Sequence, residues 1–170
     1  AIKPPSRRKK NANPGEAVTF VPTFGGAKFI GSAVVTNTNS QPMVAIVNQL
    51  NNSLNKGSAY SGFDPADATN KVSLPLVMDR NSGWYTACQI QNYGDTQTTV
   101  TLTFSGSSYS KVLTIDSKSS KTFFHKNKLG AGYVGSSAVE GPPGAKIFAV
   151  VNELKESTGD TLLTYNGFNY

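Results

Sequence analysis

Apolar and polar residues alternate through most of this chain. Val18, Phe20, Pro22 and Phe24 fall on one side of an extended segment that Gly25-Gly26 ends. The same period predicts a strand near Phe29 to Thr36, a turn over Asn37 to Pro42, a buried strand from Met43 to Leu50 and a return strand near Ala59 to Phe63. Asp64-Pro65-Ala66-Asp67 and Asn70 then mark a linker. Seven short strands follow: Val72 to Met78, Trp84 to Asn92, Thr98 to Phe104, Lys111 to Ile115, Gly132 to Val139, Lys146 to Leu154 and Leu162 to Tyr165. Turn residues separate them, among them Asn81-Ser82-Gly83 and Gly141-Pro142-Pro143-Gly144. Strands of this length at this spacing predict an all-β chain folded as an antiparallel β-sandwich. Trp84, Thr86, Cys88 and Ile90 share the face expected to meet the core, and Tyr85, Gln89 and Gln91 point the other way.

Two stretches are copies of one another. Gly31-Ser32-Ala33-Val34-Val35, Val44-Ala45-Ile46-Val47-Asn48-Gln49-Leu50 and Tyr60-Ser61-Gly62-Phe63 return as Gly135-Ser136-Ser137-Ala138-Val139, Phe148-Ala149-Val150-Val151-Asn152-Glu153-Leu154 and Tyr165-Asn166-Gly167-Phe168, about 104 residues later. Such a repeat fixes the unit of folding. The second copy has a front half built on Asn81 to Asn92, and nothing upstream of Gly31 matches it. The expected organisation is a basic extended arm over 1–16, an incomplete sandwich repeat over 17–63, a linker over 64–71 and a complete repeat over 72–170. Half a sandwich leaves apolar faces and strand edges uncovered. Either the complete repeat packs on the half repeat, or a neighbouring chain supplies strands.

Composition narrows the function classes. At 170 residues the chain can bury a core without disulfides or metals, and its lone Cys88 has no internal partner. Charged residues make up only 15%, and no apolar run reaches the roughly 18 residues of a membrane helix. The net charge of +6 sits at one end: Lys3, Arg7, Arg8, Lys9 and Lys10 precede residue 16 and only Glu16 opposes them. Taking those five and that one from totals of 16 and 10 leaves 11 basic against 9 acidic residues, so the body is close to balanced. Pro4, Pro5 and Pro14 among these charges predict an arm that does not fold alone. A start at Ala1 without methionine and without an apolar targeting segment fits a secreted product after signal removal, and a trimmed chain would begin the same way.

The strand Gly83-Trp84-x-Thr86 ending in Gln91-Asn92, the Val-Val-Asn-Glu strand and the closing Tyr-Asn-Gly-Phe resemble the tandem β-sandwich repeats of secreted bacterial surface proteins, whose function is largely unknown. The resemblance covers about residues 17 to 168 and implies location and architecture rather than an activity. The family pattern opens each repeat with the Trp strand, which the first repeat here lacks.

Candidate chemistry is sparse, and no catalytic residue, cofactor or metal is expected. His125 is the only histidine and has no nucleophile or carboxylate at a recognisable spacing, so a structural or surface role is expected. Asp64, Asp67 and Asn70 offer oxygen ligands for Ca²⁺ but lack the EF-hand spacing. Cys88 reads as a small buried hydrophobe. Asn48 and Asn152 occupy equivalent positions and are expected to bridge a strand or turn edge. No spacing identifies a lysine and asparagine pair for an isopeptide bond. Asn51-Asn52-Ser53 is a glycosylation acceptor in a hairpin loop. Trp84, Tyr85 and Tyr93 are the aromatic residues available for a sugar platform, with Trp84 expected in the core.

These features predict a structural subunit of an extracellular filament or tube, partnered by further copies of itself, with an acidic surface or glycan as a further partner. The expected contact is strand complementation of the incomplete repeat, with Val18, Phe20 and Phe24 as the exchanged strand and Lys3, Arg7, Arg8, Lys9 and Lys10 as its anchoring tail. Two alternatives follow from other features. A basic arm on a jelly-roll shell would bind packaged nucleic acid, although a jelly roll is one eight-stranded sandwich and not one and a half shorter units. A carbohydrate-binding module would bind glycans as a monomer.

Overall fold

The computed structural model describes residues 8–21, 30–157 and 159–170. Eleven strands form among them: β1 (Ile46–Asn51), β2 (Lys56–Ser61), β3 (Lys71–Asn81), β4 (Trp84–Asn92), β5 (Thr98–Phe104), β6 (Ser110–Ile115), β7 (Ser120–Phe124), β8 (Tyr133–Glu140), β9 (Ile147–Lys155), β10 (Leu162–Asn166) and β11 (Phe168–Asn169). One 3-10 turn, Pro65–Asp67, is the only other regular element among the described residues. β1 and β2 make a two-stranded antiparallel sheet, and the other nine strands run in the order β10-β9-β4-β3-β8-β5-β6, with β7 on β4 and β11 on β3.

The nine-stranded sheet folds into two layers because β3 leaves its neighbour early. β3 pairs with β4 only at Asp79↔Tyr85 and Asn81↔Trp84, then pairs with β8 from Asp79 back to Lys71. Ser82 and Gly83, with φ of 49° and 85°, close the β3–β4 turn in the doubly positive conformation that matches the twist of a hairpin. Arg80, at φ 53°, sits where the register shifts. A second shift falls between Leu74 and Val77, around Pro75, which has no N–H to give the ladder. There the Tyr165 hydroxyl accepts from the Leu76 N–H at 3.3 Å and donates to the Leu76 carbonyl, tying β10 to the irregular backbone. The core lies between the layers and includes Leu74, Val77, Cys88, Ile90, Leu102, Ile115, Val139, Ile147 and Val151.

All seven strands expected in the complete repeat are present. β7 and the short β11 were not expected. Thr86, Cys88 and Ile90 face the core as alternation requires, but Trp84, at the strand's start opposite Lys155, is only half-buried.

The first repeat departs further from expectation. Met43 to Leu50 is expected to be a buried strand; β1 forms from Ile46 and is largely exposed, because no described strand covers its outer face. Described residues 30–36 form no strand, although the matching Gly135 to Val139 lies within β8. β8 is held between β3 and β5, and among the described residues no strand flanks 30–36 in that way. The arm is not simply extended. Asn13-Pro14-Gly15-Glu16 forms a turn with Pro14 at its second position, Gly15 at φ 78° and a Glu16 N–H to Asn13 carbonyl bond of 3.0 Å.

Candidate assembly surface

The β1–β2 hairpin repeats the sequence of β9–β10 and lies over that pair, on the outer face of the complete repeat. Contacts between them are largely polar. Gln49 on β1 donates to Asn152 Oδ1 on β9 at 3.1 Å and accepts from Asn152 Nδ2 at 3.3 Å. Thr164 on β10 donates to the same Asn152 oxygen at 2.7 Å, and Ser58 on β2 bonds to Thr164. Lys56 donates to the Lys155 carbonyl, and Asn166 Nδ2 donates to the Ser61 carbonyl at 2.9 Å. At one end Phe63 stacks on Phe148 with ring centroids 4.6 Å apart. This cover explains why Phe148 and Val150 are buried although they point away from the sandwich core.

The copies use equivalent positions differently. Asn152 holds the hairpin, whereas Asn48 is exposed and does not bridge as expected. Gln49 faces Asn152, while its counterpart Glu153 points into the core and accepts from Thr86 Oγ1 at 2.7 Å. On the hairpin's far side, Val44, Ile46 and Leu50 are 96%, 71% and 75% exposed, forming an apolar face equivalent to the Phe148, Val150 and Leu154 face of β9. Isolated apolar side chains on a surface need no explanation, whereas a row on one strand is a candidate contact surface.

Among the described residues, a strand edge is unpaired beside that face. β9 pairs with β10 on one side and with all nine residues of β4 on the other. Among the described residues β1 pairs with β2 alone. The Gly62 N–H to Ala45 carbonyl bond, 2.8 Å, sets the phase of the ladder: Val47, Gln49 and Asn51 bond to β2, and the backbone groups of Ile46, Asn48 and Leu50 point to the open edge. Next to that edge a groove of about 200 Å³ lies over β4 and β7, lined by Gln49, Ala87, Gln89, Phe124, Leu154 and Ile30 among others. Phe124, half of whose surface is exposed, forms part of its floor.

The other expected residues are placed as follows. Lys3, Arg7 and Phe24 lie outside the described residues. Val18 and Phe20 are exposed and belong to no strand. Arg8 donates to the Val21 carbonyl at 2.9 Å, Lys10 donates to the Thr19 carbonyl and sits 5.6 Å from the Phe20 ring, and Lys9 is exposed. Asn51 ends β1 and its side-chain oxygen accepts from Ser53 Oγ and the Leu54 N–H at 2.8 and 3.2 Å, closing the hairpin loop. Asp64 caps the 3-10 turn by accepting from the Ala66 N–H, and Asn70 donates to the Gly141 carbonyl. Among the described residues no group of three or more His, Cys, Asp or Glu side chains is arranged to hold a metal. No helix among them is long and apolar enough to cross a membrane.

A buried polar cluster inside the sandwich escaped the sequence reading. Asp79 is sealed from solvent and accepts from the backbone N–H groups of Asn127, Lys128 and Leu129 at 2.9, 2.8 and 2.8 Å, with Arg80 Nε at 3.0 Å. Burial works against the charged carboxylate, but these donors outweigh it and hold its pKa below the ordinary value. Burial pushes Glu153 up to about 7 and His125 down to about 4. His125 is fully buried rather than on the surface; its Nδ1 lies 3.0 Å from the Thr86 carbonyl, and Nε2 is without a partner, as is Glu153 Oε1. Cys88 is buried with its thiol pushed up to about 12, as befits a packing residue. The signal for this cluster was weak: Asp79 and Glu153 interrupt core faces, but their partners lie in distant loops and strands.

No known family model matches the chain, and no curated protein does. Among solved structures, the crystal structure of Thermotoga maritima 1070 is similar over 61% of this chain and 96% of its own, with 17% identity and a TM-score of 0.46. That likeness is too distant to inform fold or function.

Proposed function

We propose that the chain is a structural subunit that assembles with copies of itself by strand complementation of its incomplete repeat. One observation carries the reading: β1 has the sequence of a central strand but, among the described residues, a partner on one side only. An open edge beside an exposed apolar row is what soluble monomers normally avoid, through short edges, charges or covers. Here the edge carries Ile46, Asn48 and Leu50 and no charge. Because the open edge and the complementing strand are different surfaces, such a contact runs head to tail and extends into a filament or tube unless the rotation closes a ring. The extracellular or cell-surface setting is supported by the resemblance to secreted surface repeats.

Electron microscopy and sedimentation of the native protein test this. Ordered fibres or tubes that grow with concentration are expected. Monomers at every concentration overturn it, and saturable glycan binding by those monomers would favour the binding-module reading. Closed shells holding nuclease-resistant nucleic acid would favour the coat reading.

A further inference from the structure

We infer that the groove between the open edge of β1 and the outer face of β4 and β7 is a strand acceptor slot, and that it takes Val18–Val21 of a second copy of this chain. The inference rests on the proposed self-assembly and names its two contacting surfaces.

The acceptor follows from the repeat. β2 lies over β10 and β1 over β9, so the open edge of β1 points toward β4 and β7. That is the side on which β9 itself receives β4. A strand laid there gains backbone bonds from Ile46, Asn48 and Leu50 and rests on Ala87, Gln89 and Phe124. The groove therefore has the two components of β-strand addition, an edge for main-chain bonding and a floor for alternate side chains. Among the described residues the lining carries amides, a hydroxyl and apolar groups, and the buried Cys88 thiol is its only ionisable group. A charged strand would lose solvation there without gaining a partner.

The donor has matching chemistry. Val18-Thr19-Phe20-Val21 is uncharged, rich in β-branched and aromatic residues, and exposed, with Val18, Phe20 and Val21 all accessible. In an extended segment Thr19 and Val21 direct their backbone groups to one side and Val18 and Phe20 to the other. Lys10 and Arg8 already bond to the Thr19 and Val21 carbonyls. The Val18 and Phe20 side is the one that can meet an open strand edge. The turn at Asn13–Glu16 folds the basic residues back along the donor, so that the ladder extends to cationic side chains at its outer border.

Hydrogen exchange of the full chain, read together with sedimentation, tests the assignment. Wild-type assemblies are expected to protect the Ile46, Asn48 and Leu50 amides. V18D/F20D is expected to lose both protection and assembly while keeping wild-type Trp84 fluorescence, since neither side chain is in the core. Asn48→Pro removes one amide of the open edge without breaking a β1–β2 bond, and the same two losses are expected. If V18D/F20D assembles with those amides still protected, another segment fills the slot and Val18–Val21 is not the donor. Assemblies in which the three amides exchange freely overturn the slot but leave self-assembly standing. Monomers with amides protected in the wild type and free in V18D/F20D would mean that the arm fills its own slot, which overturns the second copy as occupant. Monomers with free amides overturn both readings.

Discussion

Gln49 and Asn152 exchange two amide hydrogen bonds, of 3.1 and 3.3 Å, across the gap between the two copies of one repeat. Each is the other's donor and acceptor, and the pair links the hairpin to the strand whose sequence it shares. Replacing either by alanine leaves the other amide half-buried with one fewer partner. Gln49→Ala and Asn152→Ala are each expected to cost about 1 kcal/mol, and a double-mutant cycle is expected to show coupling of similar size. The loss should appear as faster exchange of β2 amides with core amides of β9 unchanged. Additive effects would mean that the pair contributes nothing beyond its parts.

Glu153 and His125 make opposed pH dependences inside one core. With Glu153 raised to about 7 from an ordinary 4.5, the folded state holds the proton more tightly than the unfolded state between those values, so stability falls as pH rises through the window. His125, lowered to about 4 from 6.5, does the reverse: the unfolded state takes the proton first, and stability falls as pH drops from 6.5 toward 4. Each gap corresponds to about 3 kcal/mol at most, and the slopes largely cancel where the windows overlap. Denaturant titrations of Glu153→Gln should therefore reveal a rise in stability from pH 4 to 6.5 that the wild type lacks. An unchanged pH profile would show that Glu153 binds its proton equally well in the folded and unfolded states.

Asp79 organises the loop after β7 through three backbone N–H groups. Asp79→Ala would bury those donors unpartnered, at an expected cost of about 3 kcal/mol or more. Asp79→Asn keeps an acceptor and should cost less. Because the carboxyl pKa is depressed in the folded state, its contribution is present above the ordinary aspartate range and is lost as pH falls below it. Thermal unfolding at neutral and acidic pH checks this, with the wild-type to Asp79→Asn difference shrinking in acid.

Gly167 and Gly62 close the two copies of the Tyr-x-Gly-Phe motif in unlike surroundings. A Cβ on Gly167 would lie 2.6 Å from Val72 Cγ1 and 2.9 Å from Leu74 Cδ2, both fixed in the core. A Cβ on Gly62 would meet Ala45 Cβ at 3.1 Å, at an exposed hairpin end. Gly167→Ala is expected to destabilise by about 1–3 kcal/mol and Gly62→Ala by less than about 1 kcal/mol. Equal costs in chemical denaturation would contradict this difference in packing.

Where a strand has neighbours on both sides, its residues announced it. The alternation of Thr86, Cys88 and Ile90 and of Val100, Leu102 and Phe104 located β4 and β5 and their inner faces. β7 was missed because Ser120-Lys121-Thr122-Phe123-Phe124 puts an apolar residue on each face, Phe123 toward the core and Phe124 toward the groove. Met43 to Leu50 and the described residues 30–36 depart from expectation because their apolar content matches that of buried strands, while burial depends on a second layer that the local sequence does not encode. The polar ladder from Gln49 to Asn152 was equally hidden, since it joins positions about a hundred residues apart. Asn48 and Asn152 were visible as a matched pair, but only the fold shows which of them has something to hold.

The stack of Phe63 on Phe148 puts the last residue of the first copy against the outer face of the second. Cutting the chain at the apparent boundary near residue 64 would strip the cover from Phe148 and Val150 and expose a sticky flank. A fragment chosen from the repeat boundaries would thus be predisposed to precipitate, whereas one begun near residue 43 keeps that flank covered. Homology marks where this sequence was duplicated; wetting decides where it can be divided.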